Sequence, residues 1–370
     1  MKVYLDNGAT TRVDPRVLKE MLPYFTTKFG NASSLHQFGQ EAKEGLEKAR
    51  KQIANSIGAK PSEIIFTSGG TESDNLAIHG VYKGHIITST IEHPAILNVC
   101  KHLNHSIIPV NEYGFINLEK FEKAINSQSM ATVMFANNEI GTIEPIKRLT
   151  EICTSKGILF HTDAVQAFGK IPIDVKKLNI DLMTLSSHKI YGPKGVGALY
   201  VKEGTSVKPM LRGGGHEKNI RSGTENIPGI VGFGKATELA VKDMKKDNVK
   251  LIKMRDKIIK NLLEVPNSML NGHPRDRLSN NVNISFDFIE GEALILHLDT
   301  RGISASTGSA CSSKKLEPSH VLTAIGLRPE QAHGSLRMTL GRFNTMNEID
   351  YTLKIVPQIV EKLRKISPFR

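Results

Sequence analysis

The sequence predicts a mostly parallel, doubly wound α/β sheet followed by a smaller α+β region. Three observations carry this. Short apolar runs alternate with helix-patterned segments from about residue 60 to 200, as successive βαβ units do. Polar residues collect where those runs stop, which places a site at the carboxyl edge of the sheet. The 370 residues suffice for about two domains with ample cores.

Taken in order, Val3–Leu5 reads as a short strand running into Asp6-Asn7-Gly8-Ala9-Thr10-Thr11, small and hydroxyl-rich turn chemistry. Asp14-Pro15 opens a helix through an N-cap and a first-position proline. A polar loop, Phe29–Ser34, precedes an amphipathic helix over Gln40–Ile57. Glu63–Ser68 reads as a strand, and Gly69-Gly70-Thr71 starts the next helix. Free N–H groups and the positive helix end make that start an anion site, though many ordinary helices begin the same way. His85–Thr90 is a strand ending in Glu92-His93-Pro94. Tyr113–Ala124 reads as helix or turn, Thr132–Ala136 as a strand ending at Asn137-Asn138-Glu139, and Glu144–Lys156 as a helix.

Gly157–Val201 is the stretch around which the rest is organised. The apolar runs Ile158–Phe160 and Leu182–Leu185 each stop at polar residues, as buried parallel strands do at a ligand crevice. The first delivers Asp163 and the second Lys189; Gly192-Pro193 turns the chain into a third strand, Val196–Val201. An acid and a lysine at neighbouring strand ends suit pyridoxal phosphate, which needs a lysine amine for its Schiff base and an acid beside its pyridine nitrogen. A structural Asp–Lys ion pair at the sheet rim is the competing reading.

Beyond Val201, Leu211–His216 and Arg221–Glu225 read as loops with positive-φ glycines, either a phosphate nest or plain turns. Gly229–Leu263 reads as a long charged helix linking two domains. Asn281–Phe286, Ile303–Ala305 and Ser335–Thr339 are strands, the last carrying Arg337; Gly291–Leu298 and Glu348–Ile366 are helices. Thr307–Ser313, small and polar, is a flexible loop holding Cys311.

A hydrophobic content of 39% and a mean hydropathy of −0.22 are those of a soluble globular protein. The sequence shows neither a signal peptide nor a membrane-spanning run, so a cytoplasmic protein is expected. Three cysteines without a Cys-x-x-Cys pair or zinc spacing exclude a disulfide framework and a built-in metal site. Cys100 and Cys153 lie in apolar-patterned segments and read as inert core residues. The net charge of +12 favours acidic partners. Much of it sits in Lys242–Lys260, which reads as a solvated helix face, and direct nucleic-acid binding is not expected.

A set of motifs runs nearly end to end: Leu-Asp-Asn-Gly-Ala-Thr-Thr at 5–11, Gly-Asn-Ala-Ser-Ser-Leu-His at 30–36, Thr-Ser-Gly-Gly-Thr-Glu-Ser at 67–73, Glu-His-Pro at 92–94 and Asn-Asn-Glu-Ile-Gly at 137–141. His-Thr-Asp-Ala-Val-Gln at 161–166, the lysine segment at 186–197, Arg-Ser-Gly-Thr at 221–224 and Ser-Thr-Gly-Ser-Ala-Cys-Ser-Ser at 306–313 complete it. In this order the sequence resembles the cysteine desulfurases of the iron–sulfur cluster assembly type (IscS/NifS), class-V aminotransferase-like, fold-type I pyridoxal phosphate enzymes.

The resemblance implies a large cofactor-binding domain over 14–250, with a seven-stranded type of sheet. It also implies a small domain, from 1–13 and 251–370, carrying the cysteine loop. Lys189 would hold the cofactor, Asp163 would pair with the pyridine nitrogen, Gln166 would bond the phenolic oxygen, and His93 would stack on the ring and move protons. Gly70, Thr71, Ser186 and His188 would hold the phosphate, with Thr224 reaching it from the other subunit of a homodimer. Asn138 would contact cofactor and substrate, and Arg337, with Asn7 nearby, would clamp the carboxylate of L-cysteine. Cys311 would accept the sulfur and pass it to an iron–sulfur scaffold protein of the IscU kind, or into tRNA thiolation. Whether Cys311 also ligates a nascent cluster with that scaffold stays open. The departures are small: Gly8, where the family often has another residue, is expected to loosen the N-terminal segment without removing a functional group, and Lys315 follows the cysteine loop where the family varies. The rival readings are a selenocysteine lyase on the same fold and a cofactor-bearing scaffold partner with little turnover.

Overall fold

A computed structural model describes residues 1–307 and 318–367. Twelve strands are found among them: β1 (Val3–Tyr4), β2 (Ile64–Thr67), β3 (His85–Ser89), β4 (His105–Ile108), β5 (Ser129–Thr132), β6 (Leu159–Asp163), β7 (Leu182–Ser186), β8 (Gly197–Val201), β9 (Ser268–Leu270), β10 (Asn281–Phe286), β11 (Ile303–Ser304) and β12 (Ser335–Thr339). The central sheet has seven strands in the order β2-β8-β7-β6-β5-β3-β4. β7, β6, β5, β3 and β4 pair in parallel, while β8 runs antiparallel to both β7 and β2. Every residue of β2, β3, β5, β7 and β8 is buried. Cover on both faces is why these strands read as unbroken apolar runs rather than as alternation.

The helix Gln37–Ser56 is capped by His36, whose Nδ1 accepts from the Gly39 N–H, and it buries Ala42, Leu46, Ala49 and Ile53 on one stripe. That stripe meets the 36-residue helix Ile227–Leu262. The two backbones approach so closely that a Cβ on Gly234 would lie 2.6 Å from Ala49 Cα. The first turns of the long helix belong to the core around the central sheet. Leu251, Met254, Ile258 and Leu262 belong to a second core with Val3, Leu5 and the strands β10 and β12. This second core lies on an antiparallel sheet, β12-β10-β9, flanked by the parallel pair β1-β11.

Several expectations are corrected. The strand expected at Thr132–Ala136 ends at Thr132, because both carboxyl oxygens of Glu92 accept the Met134 N–H at 3.0 Å and draw the chain off the β3 ladder. The region Tyr113–Ala124 is helical only over Leu118–Lys123, capped by the Asn117 side chain. β4 and β9, and the helices Pro94–Cys100, His320–Ala324 and Pro329–His333, were not foreseen. In the glycine-rich loop, left-handed backbone falls on Gly215 and Gly223 but also on Glu217, Lys218 and Asn219. Three such non-glycine residues in a row are costly, and a bidentate Arg50–Glu217 pair at 2.8 Å holds the first of them in place.

Candidate functional site

The carboxyl ends of β6 and β7 lie side by side, with Asp163 in register with Thr184. Asp163 Oδ1 accepts the Val165 N–H at 2.9 Å. β7 continues through Ser186 into the short turn Ser187–Lys189. Lys189 Nζ donates to the carbonyls of Gly8 (2.6 Å) and Ala9 (2.7 Å), and Gln166 Nε2 donates to Gly8 O at 3.0 Å. The Asp6–Thr10 turn therefore roofs the strand ends, and His188 Nδ1 meets Thr10 Oγ1 at 3.1 Å. Gly8 does not loosen this turn. Its N–H donates to Thr339 Oγ1 at 2.6 Å, and a Cβ there would lie 2.9 Å from Thr339 Cγ2, so glycine is what lets the segment seat.

His93 caps the helix Pro94–Cys100 through Nδ1, which accepts the Ala95 N–H at 3.1 Å. Burial pulls the His93 pKa down; the charge of Asp163 opposes this and that of Lys189 adds to it. Burial pushes Asp163 up, while His93, the Val165 N–H and Lys189 hold it back. The three groups thus sit within electrostatic reach of one another. Beneath them Asp74 is buried, raised first by burial and then by Asp163. Its Oδ1 has no hydrogen-bond partner and lies 3.8 Å from His161 Nε2. His161, bonded on its two nitrogens to Thr132 and Thr184 hydroxyls, is pushed down to about 3 by burial. Two buried carboxyls with a neutral imidazole favour a cationic group against Asp163.

The opposite flank is built for an anion. Gly69 caps the helix Gly70–Val81, and a Cβ on Gly69 would meet open space. The hydroxyls of Ser186 and Ser187 are buried without a partner. Lys170, which donates to Gln166 O at 2.8 Å, is pulled down to about 7 by burial and by Lys189. His188 is pulled down to about 4 by burial and by Lys189, Lys194 and Lys170. A helix start and unsatisfied hydroxyls together suit a phosphate, and an anion bound there would restore the charge that burial and the neighbouring cations take from His188 and Lys170. Thr71 is exposed in the first turn of that helix.

Arg337, on β12, is buried. Its Nη2 donates to Asp6 Oδ1 at 3.1 Å and its Nη1 to Asn138 O at 3.4 Å, while Nε is buried with no partner. Asn7 Nδ2 donates to Thr339 O at 2.9 Å, next to β12. The guanidinium is held between the Asp6 turn and the Asn137–Gly141 loop, with donor capacity to spare for a carboxylate. Thr224 stands apart: it is exposed, on the segment held by the Arg221–Glu72 pair at 2.8 Å, and no hydrogen bond joins it to the other site residues among the described residues. Cys311 lies outside the described residues. Cys100 and Cys153 are buried, and burial pushes both thiols up to about 12.

Reading by motif passed over four groups that the fold brings in. They are Asp74 and Lys170, and the buried acids Glu92 (about 8) and Glu139 (about 7), both raised by burial. Glu139 accepts from the Ser319 hydroxyl at 2.6 Å. The one sequence signal was their position inside or beside quoted motifs.

The class-V aminotransferase family model matches residues 3–352. A cysteine desulfurase IscS of Methanosarcina thermophila is 53% identical over 378 residues, covering 99% of this chain and 94% of that protein. Another, of Dictyoglomus turgidum, is 50% identical over 382 residues, covering 100% and 97%. Among solved structures, a NifS-like protein is similar with a TM-score of 0.93 at 39% identity, over 98% of this chain and 100% of that one. SspA, solved in complex with cysteine, is similar with a TM-score of 0.81 at 35% identity, over 93% and 100%.

Proposed function

We propose that this chain, which belongs to the class-V aminotransferase family and within it to the cysteine desulfurases, converts L-cysteine to L-alanine and keeps the sulfur on Cys311. The observation that carries the reading is the convergence of Asp163 and Lys189, at the ends of the adjoining strands β6 and β7, with His93 at the start of the helix after β3, and with Arg337 held by the same Asp6 turn that Lys189 reaches. The family works with pyridoxal phosphate, and the residues present fit it. Asp163, raised by burial, offers an acid for the pyridine nitrogen. The unpartnered Ser186 and Ser187 hydroxyls and the Gly70 helix start offer a phosphate cradle, completed in a homodimer by Thr224 of the second subunit.

When bound, pyridoxal phosphate supplies an electron sink for negative charge at the substrate's Cα. Lys189, the amine at the end of β7, anchors it and takes the Cα proton. Asp163 would hold a proton at the pyridine nitrogen, and Gln166, one of whose N–H groups goes to Gly8 O, would offer the other to the phenolic oxygen. His93, whose Nδ1 is fixed as an acceptor, keeps an Nε2 proton to share with the reacting groups. Arg337, with Asn138 and Asn7, orients the substrate carboxylate. The Cys311 thiolate attacks the substrate sulfur. The S–S bond forms as the Cβ–S bond breaks, and the carbon gains the proton that completes alanine. The balance is L-cysteine plus thiol to L-alanine plus persulfide, with no outside oxidant.

The same reading assigns 14–250 to cofactor binding and 1–13 with 251–370 to the part that carries Cys311, and it places the protein in the cytoplasm. An iron–sulfur scaffold is the sulfur acceptor it favours, supported by the IscS relatives, with tRNA thiolation as the alternative outlet. Among the described residues no helix is long and apolar enough to cross a membrane. Two variants test the roles. Lys189→Ala loses the bound-cofactor absorbance and turnover together. Cys311→Ala keeps the absorbance and loses the persulfide. Normal sulfur transfer by Cys311→Ala would overturn the assignment.

A further inference from the structure

Arg277, in the segment before β10, is a buried cation held without a carboxylate. Its Nη1 donates to the carbonyls of Asn271 and His273, both at 3.3 Å. Its Nη2 donates to Ile140 O at 3.0 Å and Asn281 Oδ1 at 3.2 Å. No ion pair forms on it among the described residues, and its Nε is buried without a partner. Burying an uncompensated guanidinium is costly. Four neutral acceptors converging on one side chain therefore call for an explanation beyond packing.

The acceptor that matters is Ile140 O. Ile140 belongs to the loop Asn137–Gly141, and the same stretch of chain grips that loop repeatedly. Thr142 and Arg277 form an antiparallel bridge, and the Leu278 N–H donates to Gly141 O at 2.9 Å. Asn281 and Asn283 each donate through Nδ2 to Glu139 O at 3.1 Å. Gly141, with φ of +79°, lies so near Asn281 that a Cβ would sit 2.7 Å from its Oδ1. The far side of this loop presents Asn138 O to Arg337 Nη1.

We propose that Arg277 is a positioning residue for substrate binding: by clamping Ile140 O it fixes the Asn138 carbonyl that orients Arg337. This rests on the reading of Arg337 as the carboxylate clamp. Arg277 touches neither substrate nor cofactor. It acts through the loop, and its loss lets the Asn138 carbonyl and with it the Arg337 fork move away from the geometry a carboxylate needs.

A double-mutant cycle on the holoenzyme tests this, with KM for L-cysteine, kcat and the bound-cofactor absorbance measured for each variant. Arg277→Met raises KM about tenfold, with kcat changed less than twofold and the absorbance unaltered. In an Arg337→Met background the same replacement raises KM less than twofold further. Arg277→Lys, which keeps the charge but loses the fork, gives an intermediate KM; should Arg277→Met fail to fold, the cycle is run with Lys. An unchanged KM in the single variant, or an effect that multiplies undiminished on Arg337→Met, overturns the inference. An Arg337→Met enzyme with wild-type KM would instead overturn the reading of Arg337 on which it stands.

Discussion

Glu217 offers a prediction whose size follows from its surroundings. Its side chain is 3% exposed and that of Arg50 9%. Oε1 accepts from Arg50 Nη2 and Oε2 from Arg50 Nη1, both at 2.8 Å, and Oε2 also takes the Phe66 N–H of β2 at 2.8 Å. Replacing Glu217 by Met strands a buried guanidinium and an unpaired strand N–H. Breaking such a pair from one side costs about 3–5 kcal/mol. Arg50 keeps its bond to Ile64 O at 2.8 Å and a partly exposed Glu47 at 3.2 Å, so the lower end, about 3 kcal/mol or roughly a hundredfold in the unfolding equilibrium, is expected. Replacing both partners by Met removes the desolvation penalty along with the attraction, and most of the loss returns. The assay is urea unfolding of the wild type, both single variants and the double. A Glu217→Met loss below about 1 kcal/mol, or a double variant as unstable as the sum of the singles, would refute the reasoning. Because Glu217 starts the left-handed run of the loop leading to Thr224, the single variant should also weaken cofactor retention.

Two further predictions follow from buried groups. His161 is held neutral, at about 3 against an ordinary 6.5, so the unfolded chain binds the extra proton between those values and stability falls as pH drops below about 6.5. His161→Gln should flatten the stability profile between pH 6 and 4 by about 1.4 kcal/mol per pH unit relative to wild type, and parallel profiles in urea titrations would contradict this. Cys100 and Cys153, raised by burial to about 12, should resist a thiol reagent in the native protein and react only on unfolding. Native labelling at either, read by peptide mass spectrometry, would show that these thiols are reachable.

The parts of the fold legible in the sequence were those whose burial is continuous. β7, β10 and β12 are recognisable within a residue: β7 is a nearly unbroken apolar run, β10 alternates Val282, Ile284 and Phe286 with polar residues, and β12 sets Leu336 and Met338 either side of Arg337, all of them buried. β4 was missed because His105-Ser-Ile-Ile lies at the sheet edge, partly exposed, and shows neither a long apolar run nor clean alternation. The early end of β5 depends on Glu92, forty-two residues away in sequence, and no local pattern reports such a bond. At the site, Asp163 and Lys189 could be read because strand ends concentrate function. Asp74, Lys170 and Arg277 could not. A carboxylate in a helix or a lysine after a glycine looks solvated until tertiary packing buries it.

The most direct measurement is the visible absorbance of the purified protein with pyridoxal phosphate, before and after L-cysteine, with alanine assayed in the same cuvette. The account predicts a band from cofactor held on Lys189, a shift when L-cysteine is added, and alanine equal to the sulfur released or bound. A protein that stays colourless with the cofactor supplied would contradict it, leaving Asp163 and Lys189 as a structural feature of the sheet rim.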